Sequence, residues 1–420
     1  MSDFDGASGS AKRLHIALSL LLLTGINLFN YVDRYLISSL LPLIKSDFRL
    51  TSTQEGLLGT AFILVYLLAA PLFGWLGDRF SRRPVITAGV ALWSLATAAS
   101  GLARGFGSLL PLRSLVGVGE ASYASVSPGL IADYVPPRRR AMAMSVFYMA
   151  IPVGAALGYV LGGFFGSRIG WRPTFLLVGG PGLVLALLAL FIHEPARPDP
   201  AAAGDRPGED FIARCRDHLF RNPAWIRLTA SYTLYTFAMG GLAFWMPSFL
   251  VRGKGFSVED SGVLFGVLTV ITGVGGTFTG GWLADVLQRR RPDGYVRMCW
   301  LTIALSLPFI AAFILVPHRW TTLALVFAAE WLLFMNTGPV NTMIVGCVPP
   351  SLRSTAMAVN IFFIHLLGDA LSPALIGWVA DHRSLSAALW LVPVAVGLSA
   401  AVLATVRYKE YPEETAQEGG

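Results

Sequence analysis

Several ionisable side chains in this sequence stand inside otherwise apolar runs. Asp33 and Arg34 are adjacent in NYVDRYLISSLLP, and Arg113 and Glu120 share RSLVGVGEASYASVSPG. Seven positions apart on a helix, Arg113 and Glu120 lie on one face, separated by about 10.5 Å of rise. Farther on, Glu330 sits in another apolar run, and His365 and Asp369 are four positions apart, again on one helical face. Charge in hydrocarbon is costly, so such residues mark ion pathways, proton relays or ligand contacts. A buried carboxyl beside an arginine is pulled two ways, because desolvation favours the neutral acid and the guanidinium favours the anion. That balance suits a group whose job is to take up and release a proton. The plainer reading, that these residues only join helices through ion pairs, stays open, above all for Glu330, His365 and Asp369. Arg227, near the start of its run, needs no more than a snorkelling side chain.

The elements that must position these groups follow from composition. The chain has 420 residues, 54% hydrophobic and 14% charged, with a mean hydropathy of +0.61. A soluble domain carries about a quarter of its residues charged, so this surface is not built for water. The hydrophobicity comes in runs of about twenty residues, the length of helix that crosses a hydrocarbon layer. Twelve such runs can be placed between residues 14 and 406. A β-barrel is excluded because Leu20 to Leu23 and Leu183 to Leu190 are apolar all round instead of alternating. The 44 Gly and 25 Pro are ordinary in membrane helices, where small residues allow close packing.

Basic residues set the orientation. Twenty fall in segments on the side of the N-terminus and nine on the other, which predicts cytoplasmic termini. The net charge of +7 is thereby explained by topology and contact with membrane lipids, and gives no support for a nucleic-acid partner. Cys215, Cys299 and Cys347 fall in or near the reducing side, so no structural disulfide is expected. The longest polar stretch, 193–222, divides the runs six and six. The predicted organisation is a tail over 1–13, a six-helix bundle over 14–192, a linker over 193–222, a second bundle over 223–406 and a tail over 407–420.

The halves repeat. Residues 74–83 read GWLGDRFSRR and 281–290 read GWLADVLQRR, while VPPRRRAMAM at 135–144 returns as VPPSLRSTAM at 348–357. Two anchors in register, each in an inner loop, are the trace of parallel repeats related by an axis normal to the membrane. The two repeat offsets predict a counterpart of Glu120 within the window 327–333, and Glu330 falls inside it.

With these motifs the chain resembles the major facilitator superfamily over residues 14–406. The resemblance implies an all-α membrane protein with twelve transmembrane helices in two parallel six-helix repeats. The loop motif of that family is matched at Gly74, Leu76, Asp78, Arg79, Arg82 and Arg83. Its second copy keeps Gly281, Leu283, Asp285, Arg289 and Arg290 but has Val286 in place of Arg79. The resemblance implies gating roles: Asp78 would latch the start of the eleventh helix near Arg353 and Ser354, with a weaker counterpart between Asp285 and Arg140.

The charged pair in the first run, with Arg113, Gly117, Gly119, Glu120, Ser127 and Pro128 in the fourth, is similar to the spinster branch, whose members move lysophospholipids or sphingosine-1-phosphate. Carried over residue by residue, Asp33 and Glu120 would be proton-responsive, Arg34 would pair with them in turn, and Arg113 would hold a polar headgroup. Tyr31, Tyr35, Tyr66, Tyr123 and Tyr148 offer amphipathic surfaces, and Trp331 and Phe334, with Glu330 beside them, could flank an acyl chain. The expected partners are an amphiphilic lipid substrate, protons and membrane lipids, and the chain is expected to work as a monomer in the cell inner membrane. Organic anions, sugar acids and drugs are cargoes of the same superfamily, and a non-transporting sensor is the rival of another class.

No enzyme signature accompanies this pattern. The sequence has no Gly-x-Ser-x-Gly elbow, no His-Glu-x-x-His zinc pattern and no phosphate loop for ATP. No cofactor is expected, and an ion gradient is the expected energy source.

Overall fold

The computed structural model describes residues 3–135, 137–195, 213–349 and 352–409, with side chains except those of 3–13, 78 and 137–141. The middle of the expected linker, most of the last tail, and the side chains of the first tail, Asp78 and Arg140 therefore lie outside the described residues.

The described residues form helices and no strand. In order these are α1 (Asp3–Phe48), α2 (Ser52–Arg79), α3 (Arg82–Ser100), α4 (Phe106–Tyr134), α5 (Pro137–Ile169), α6 (Trp171–Ala189), α7 (Pro223–Lys254), α8 (Val258–Arg290) and α9 (Gly294–Leu315). Then come α10 (Arg319–Gly346), interrupted at Met335 and Asn336, α11 (Arg353–His382) and α12 (Leu385–Ala404). Within α11, Ile364–Asp369 is a wide, π-helical turn. Local chemistry fixes the ends: Thr51 and Gln54 form a reciprocal cap that satisfies backbone donors at the start of α2.

Large apolar side chains face outward, as on Leu68, Phe191 and Phe278, the last 81% exposed. In water such a surface would aggregate; in a bilayer it meets its own kind. Ten of the helical segments are long and apolar enough to cross a membrane. The two that fall short are α3 and α4. In α4 the apolar run is diluted by Arg113, Glu120 and small Gly and Ser residues, the price of carrying a polar site inside a bundle.

The chain divides into two compact units, Met1–Pro198 with Ala243–Val270, and Asp199–Leu242 with Ile271–Gly420. The segment Ala243–Val270, second-half by sequence, thus packs with the first unit. In the first unit α1 packs on α5, α2 on α4, and α3 on both α4 and α6. In the second, α9 packs on α10 and α12, the same arrangement as α3 with α4 and α6.

Missing side chains allow the closest of these approaches. Gly154, Gly158 and Gly162 on α5 stand so near the carbonyls of Leu28, Val32 and Leu36 that an added Cβ would come within 2.5, 2.6 and 2.8 Å of them. This is the small-residue seam by which membrane helices interlock. On α4, a Cβ at Gly117 would lie 2.5 Å from the Phe62 carbonyl of α2, and one at Gly119 would lie 2.7 Å from the Gly89 carbonyl of α3. These contacts hold the α4 backbone that carries Glu120.

A buried ion cluster also binds the first unit. Glu55 is fully buried; it accepts hydrogen bonds from Lys45 Nζ at 2.7 Å and from both terminal nitrogens of Arg252, one at 3.0 Å. Replacing Glu55 by Ala leaves Lys45 and Arg252, which both keep contact with solvent, without their shared buried anion, a cost of about 1 to 3 kcal/mol, below that of a fully buried pair. Thermal unfolding of purified Glu55→Ala in lipid nanodiscs is expected to show a clear fall in Tm. An unchanged Tm would mean that the cluster holds nothing together.

Candidate functional site

The first unit gathers the intramembrane charges into one constellation between α1 and α4. Arg34 donates from Nη2 to Glu120 Oε2 at 2.7 Å and from Nε to the same oxygen at 3.1 Å. Glu120 is fully buried, and its other oxygen, Oε1, makes no hydrogen bond. Asp33, one residue before Arg34, turns to another neighbour: its Oδ2 accepts from Thr97 of α3 at 3.2 Å, while Oδ1 is buried without a partner. Of the two acids expected to share Arg34, Glu120 holds it here.

Arg113 is 1% exposed, and its Nε and Nη1 are buried without hydrogen-bond partners. An unpaired buried guanidinium is costly and is normally found paired. The Phe62 ring centroid lies 5.4 Å from its guanidinium carbon, and its charge also feels the carboxyl groups of Glu120 and Asp33 and the guanidinium of Arg34. The same ring, with Tyr31 and Tyr66, surrounds Arg34 at 5.1, 4.8 and 5.1 Å, so π faces share the cationic charge. The constellation has two acids and two arginines, one tight pair, and unsatisfied donors and acceptors on the remaining groups.

Of the expected tyrosines, Tyr31 and Tyr66 stand at this centre, and Tyr35 stacks on Tyr31 with centroids 6.5 Å apart. Tyr123 is fully buried, with its hydroxyl donating to the Leu23 carbonyl, which fits an anchor between α1 and α4. Tyr148 is about half exposed beside the buried Phe147. Thr97 and Phe62 were not singled out by sequence reasoning. An uncharged threonine and one phenylalanine among 26 carry no signal until the fold brings them to the charges.

The second unit holds its own expected residues. Glu330 is buried, and its Oε2 accepts from Thr272 of α8 at 3.0 Å. Trp331 lies over Gly275 of α8, where an added Cβ would come within 2.4 Å of the indole ring. It lines an apolar groove of about 510 Å³ with Phe309, Phe327, Ala328 and Leu332. Phe334 packs beside it over Gly276. His365 Nδ1 lies 2.9 Å from Asp369 Oδ2 on the wide turn of α11, and both side chains are partly exposed.

Among the expected gating residues, Arg82 pairs with Asp133 at 2.5 Å, and its backbone N–H donates to Glu194 at 2.6 Å, a carboxylate seated at the start of α3. Arg79 lies over Trp75 at 4.8 Å, while Arg83 donates its backbone N–H to Glu194 at 3.4 Å. Asp285 accepts from the Tyr295 hydroxyl at 2.9 Å, and Arg289 and Arg290 are exposed. Arg353 has its Nε buried without a hydrogen-bond partner. Among the described residues no group of three or more His, Cys, Asp or Glu side chains could hold a metal ion.

Comparison with known proteins bears on this site. Residues 23–364 match the profile of the Major Facilitator Superfamily. Protein spinster homolog 1 of Homo sapiens is 37% identical over 387 residues, covering 87% of this chain and 73% of the relative. The chain belongs to the major facilitator superfamily, in its spinster-like branch. The Xenopus tropicalis spinster homolog 1 is 35% identical over 387 residues, 88% of this chain and 73% of its own length. A solved bacterial homolog to the human lysosomal transporter Spinster, inward-facing and unoccupied, superposes with a TM-score of 0.82 at 25% identity. The match covers 95% of this chain and 99% of that one. A spinster-like chain is a multi-pass membrane protein and a secondary transporter, not an enzyme.

Proposed function

We propose that this spinster-like transporter couples proton movement to the passage of an amphiphilic anionic or zwitterionic lipid, such as a lysophospholipid, by alternating access. The observation that carries the reading is the Arg34–Glu120 pair at 2.7 Å beside an unpaired, buried Arg113. Protonation of Glu120 removes the charge that holds Arg34, and the guanidinium then turns to Asp33 or to substrate. Arg113 meets the phosphate of the headgroup, for which a planar fork of donors is well suited. Tyr31, Tyr35 and Tyr66 offer surfaces that are apolar in body and polar at the tip. A lysosomal transporter among the relatives of the solved bacterial homolog is consistent with work across a proton gradient.

The reading includes twelve membrane helices in two six-helix repeats. The repeated packing of α3 and α9, and the doubled loop motif, support that count. It also places both termini in the cytoplasm of a cell inner membrane, on the strength of the basic-residue asymmetry, and takes the monomer as the working unit.

The test is flux in proteoliposomes under an imposed pH gradient. Lysophospholipids, sphingosine-1-phosphate, hexuronates and cationic dyes should be offered in parallel. Gradient-dependent movement of a lysolipid or sphingosine-1-phosphate, with the sugar acids and dyes left behind, is the expected result. Preference for a hexuronate or a dye would reject the lipid assignment, and flux indifferent to the gradient would reject the coupling.

A further inference from the structure

Where α7 begins and α12 ends, the second unit contains a cavity of about 870 Å³. Arg227, Arg407 and Lys409 line it, and among the described residues no carboxylate does. Pro223 opens one membrane span and Ala404 closes another, and both line the cavity, so it lies at the depth where the spans meet water.

The walls are built. After α12 the chain alternates: Val406 and Tyr408 are buried, whereas Arg407 and Lys409 are exposed and reach the cavity. Tyr408 packs against the bare backbone of Gly346, where an added Cβ would come within 2.3 Å of its hydroxyl. On the other side Asn222 caps α7, accepting from the backbone N–H of Ala224 at 3.0 Å, and donates to the Cys347 carbonyl at 2.9 Å. Arg227 is oriented by a bond from Nη1 to the Thr405 carbonyl at 3.2 Å, which leaves the rest of its donor fork available. Among the described residues none of the three cations forms an ion pair.

We infer that this cavity binds the phosphate-bearing headgroup of an anionic phospholipid of the surrounding membrane. Topology explains a scatter of basic residues at a membrane surface, but not the convergence of three on one cavity that no described carboxylate lines. Basic pockets between helices at this depth suit lipid headgroups bearing phosphate, with arginine supplying a bidentate fork and lysine a mobile point charge. The site belongs to the second unit, whereas Asp33, Arg34, Arg113 and Glu120 belong to the first, so it shares no residue with the proposed transport centre.

The full chain, delipidated in detergent, should be titrated with short-chain phosphatidylglycerol, cardiolipin and phosphatidylcholine, and with inorganic phosphate, with bound lipid read by native mass spectrometry. The expected result is retention of the anionic lipids at least tenfold better than phosphatidylcholine, with no competition from millimolar phosphate. In the combined Arg227→Gln, Arg407→Gln, Lys409→Gln variant that preference should fall to parity, and the single Arg227→Gln and Lys409→Gln variants should each lose about fivefold. The control variant Arg214→Gln, Arg216→Gln, Arg221→Gln should keep the preference. Equal binding of phosphatidylcholine, or a preference unchanged in both the combined and single variants, would overturn the site. Displacement by inorganic phosphate would make it a free-phosphate site instead, and lipid binding only after deletion of residues 410–420 would assign the cavity to the chain's own acidic end.

Discussion

Glu120→Gln is expected to cut gradient-driven flux about a hundredfold, equivalent to about 2.7 kcal/mol of lost coupling, while substrate binding changes less than tenfold. Glutamine keeps the size of glutamate and can accept one hydrogen bond from Arg34, so the bundle should fold. It cannot carry the charge whose gain and loss, in the proposed cycle, would decide where the guanidinium goes. Because Glu120 is fully buried and Oε2 takes both Arg34 bonds, no other described acid replaces it at that position. Parallel measurement of flux under a pH gradient and of equilibrium binding in nanodiscs separates the two effects. Normal gradient-driven flux in a well-folded Glu120→Gln protein would leave the Arg34–Glu120 pair as a strut between α1 and α4.

The second large effect concerns Arg113, and its sign distinguishes function from architecture. A guanidinium with Nε and Nη1 buried and unsatisfied carries a desolvation cost that its charge contacts with Glu120 and Asp33 offset in part, so Arg113→Met, which keeps most of the buried volume, should leave Tm nearly unchanged. Binding of a phosphate-bearing lipid should weaken by about 1.5 to 3 kcal/mol, the worth of a hydrogen bond to a charged group. That is roughly tenfold to more than a hundredfold in Kd. Thermal unfolding and lipid binding on the same preparation decide the matter. A fall in Tm with affinity intact would make Arg113 a packing residue.

The charged centre was legible in the sequence because Asp33, Arg34, Arg113 and Glu120 interrupt apolar runs, where nothing else explains them. Which of its two expected acids Arg34 holds was not. Successive residues on a helix point about 100° apart, and the fold sends Arg34 to Glu120 of α4 and Asp33 to Thr97 of α3. The Glu55 cluster was also invisible. Lys45 and Arg252 look like ordinary interfacial charges, and only tertiary packing shows that both converge on one buried carboxylate. Trp331 illustrates the opposite limit, since an aromatic in a membrane helix has many uses. Here it lies on the bare backbone of Gly275 and lines an apolar groove.

The glycine seams carry a consequence for time. With the α5 backbone set against the carbonyls of α1, and α4 set against those of α2 and α3, neither α1 nor α4 can slide by a residue without driving side chains into main chain. In the proposed cycle, exchange of partners by Arg34 would then be a rotation about side-chain bonds rather than a displacement of helices. Side-chain rotations run in picoseconds to nanoseconds where space permits, against microseconds to milliseconds for collective movements of helices. The proton-sensing event would therefore equilibrate many times within one transport cycle, and turnover would be governed by slower rearrangements elsewhere in the protein.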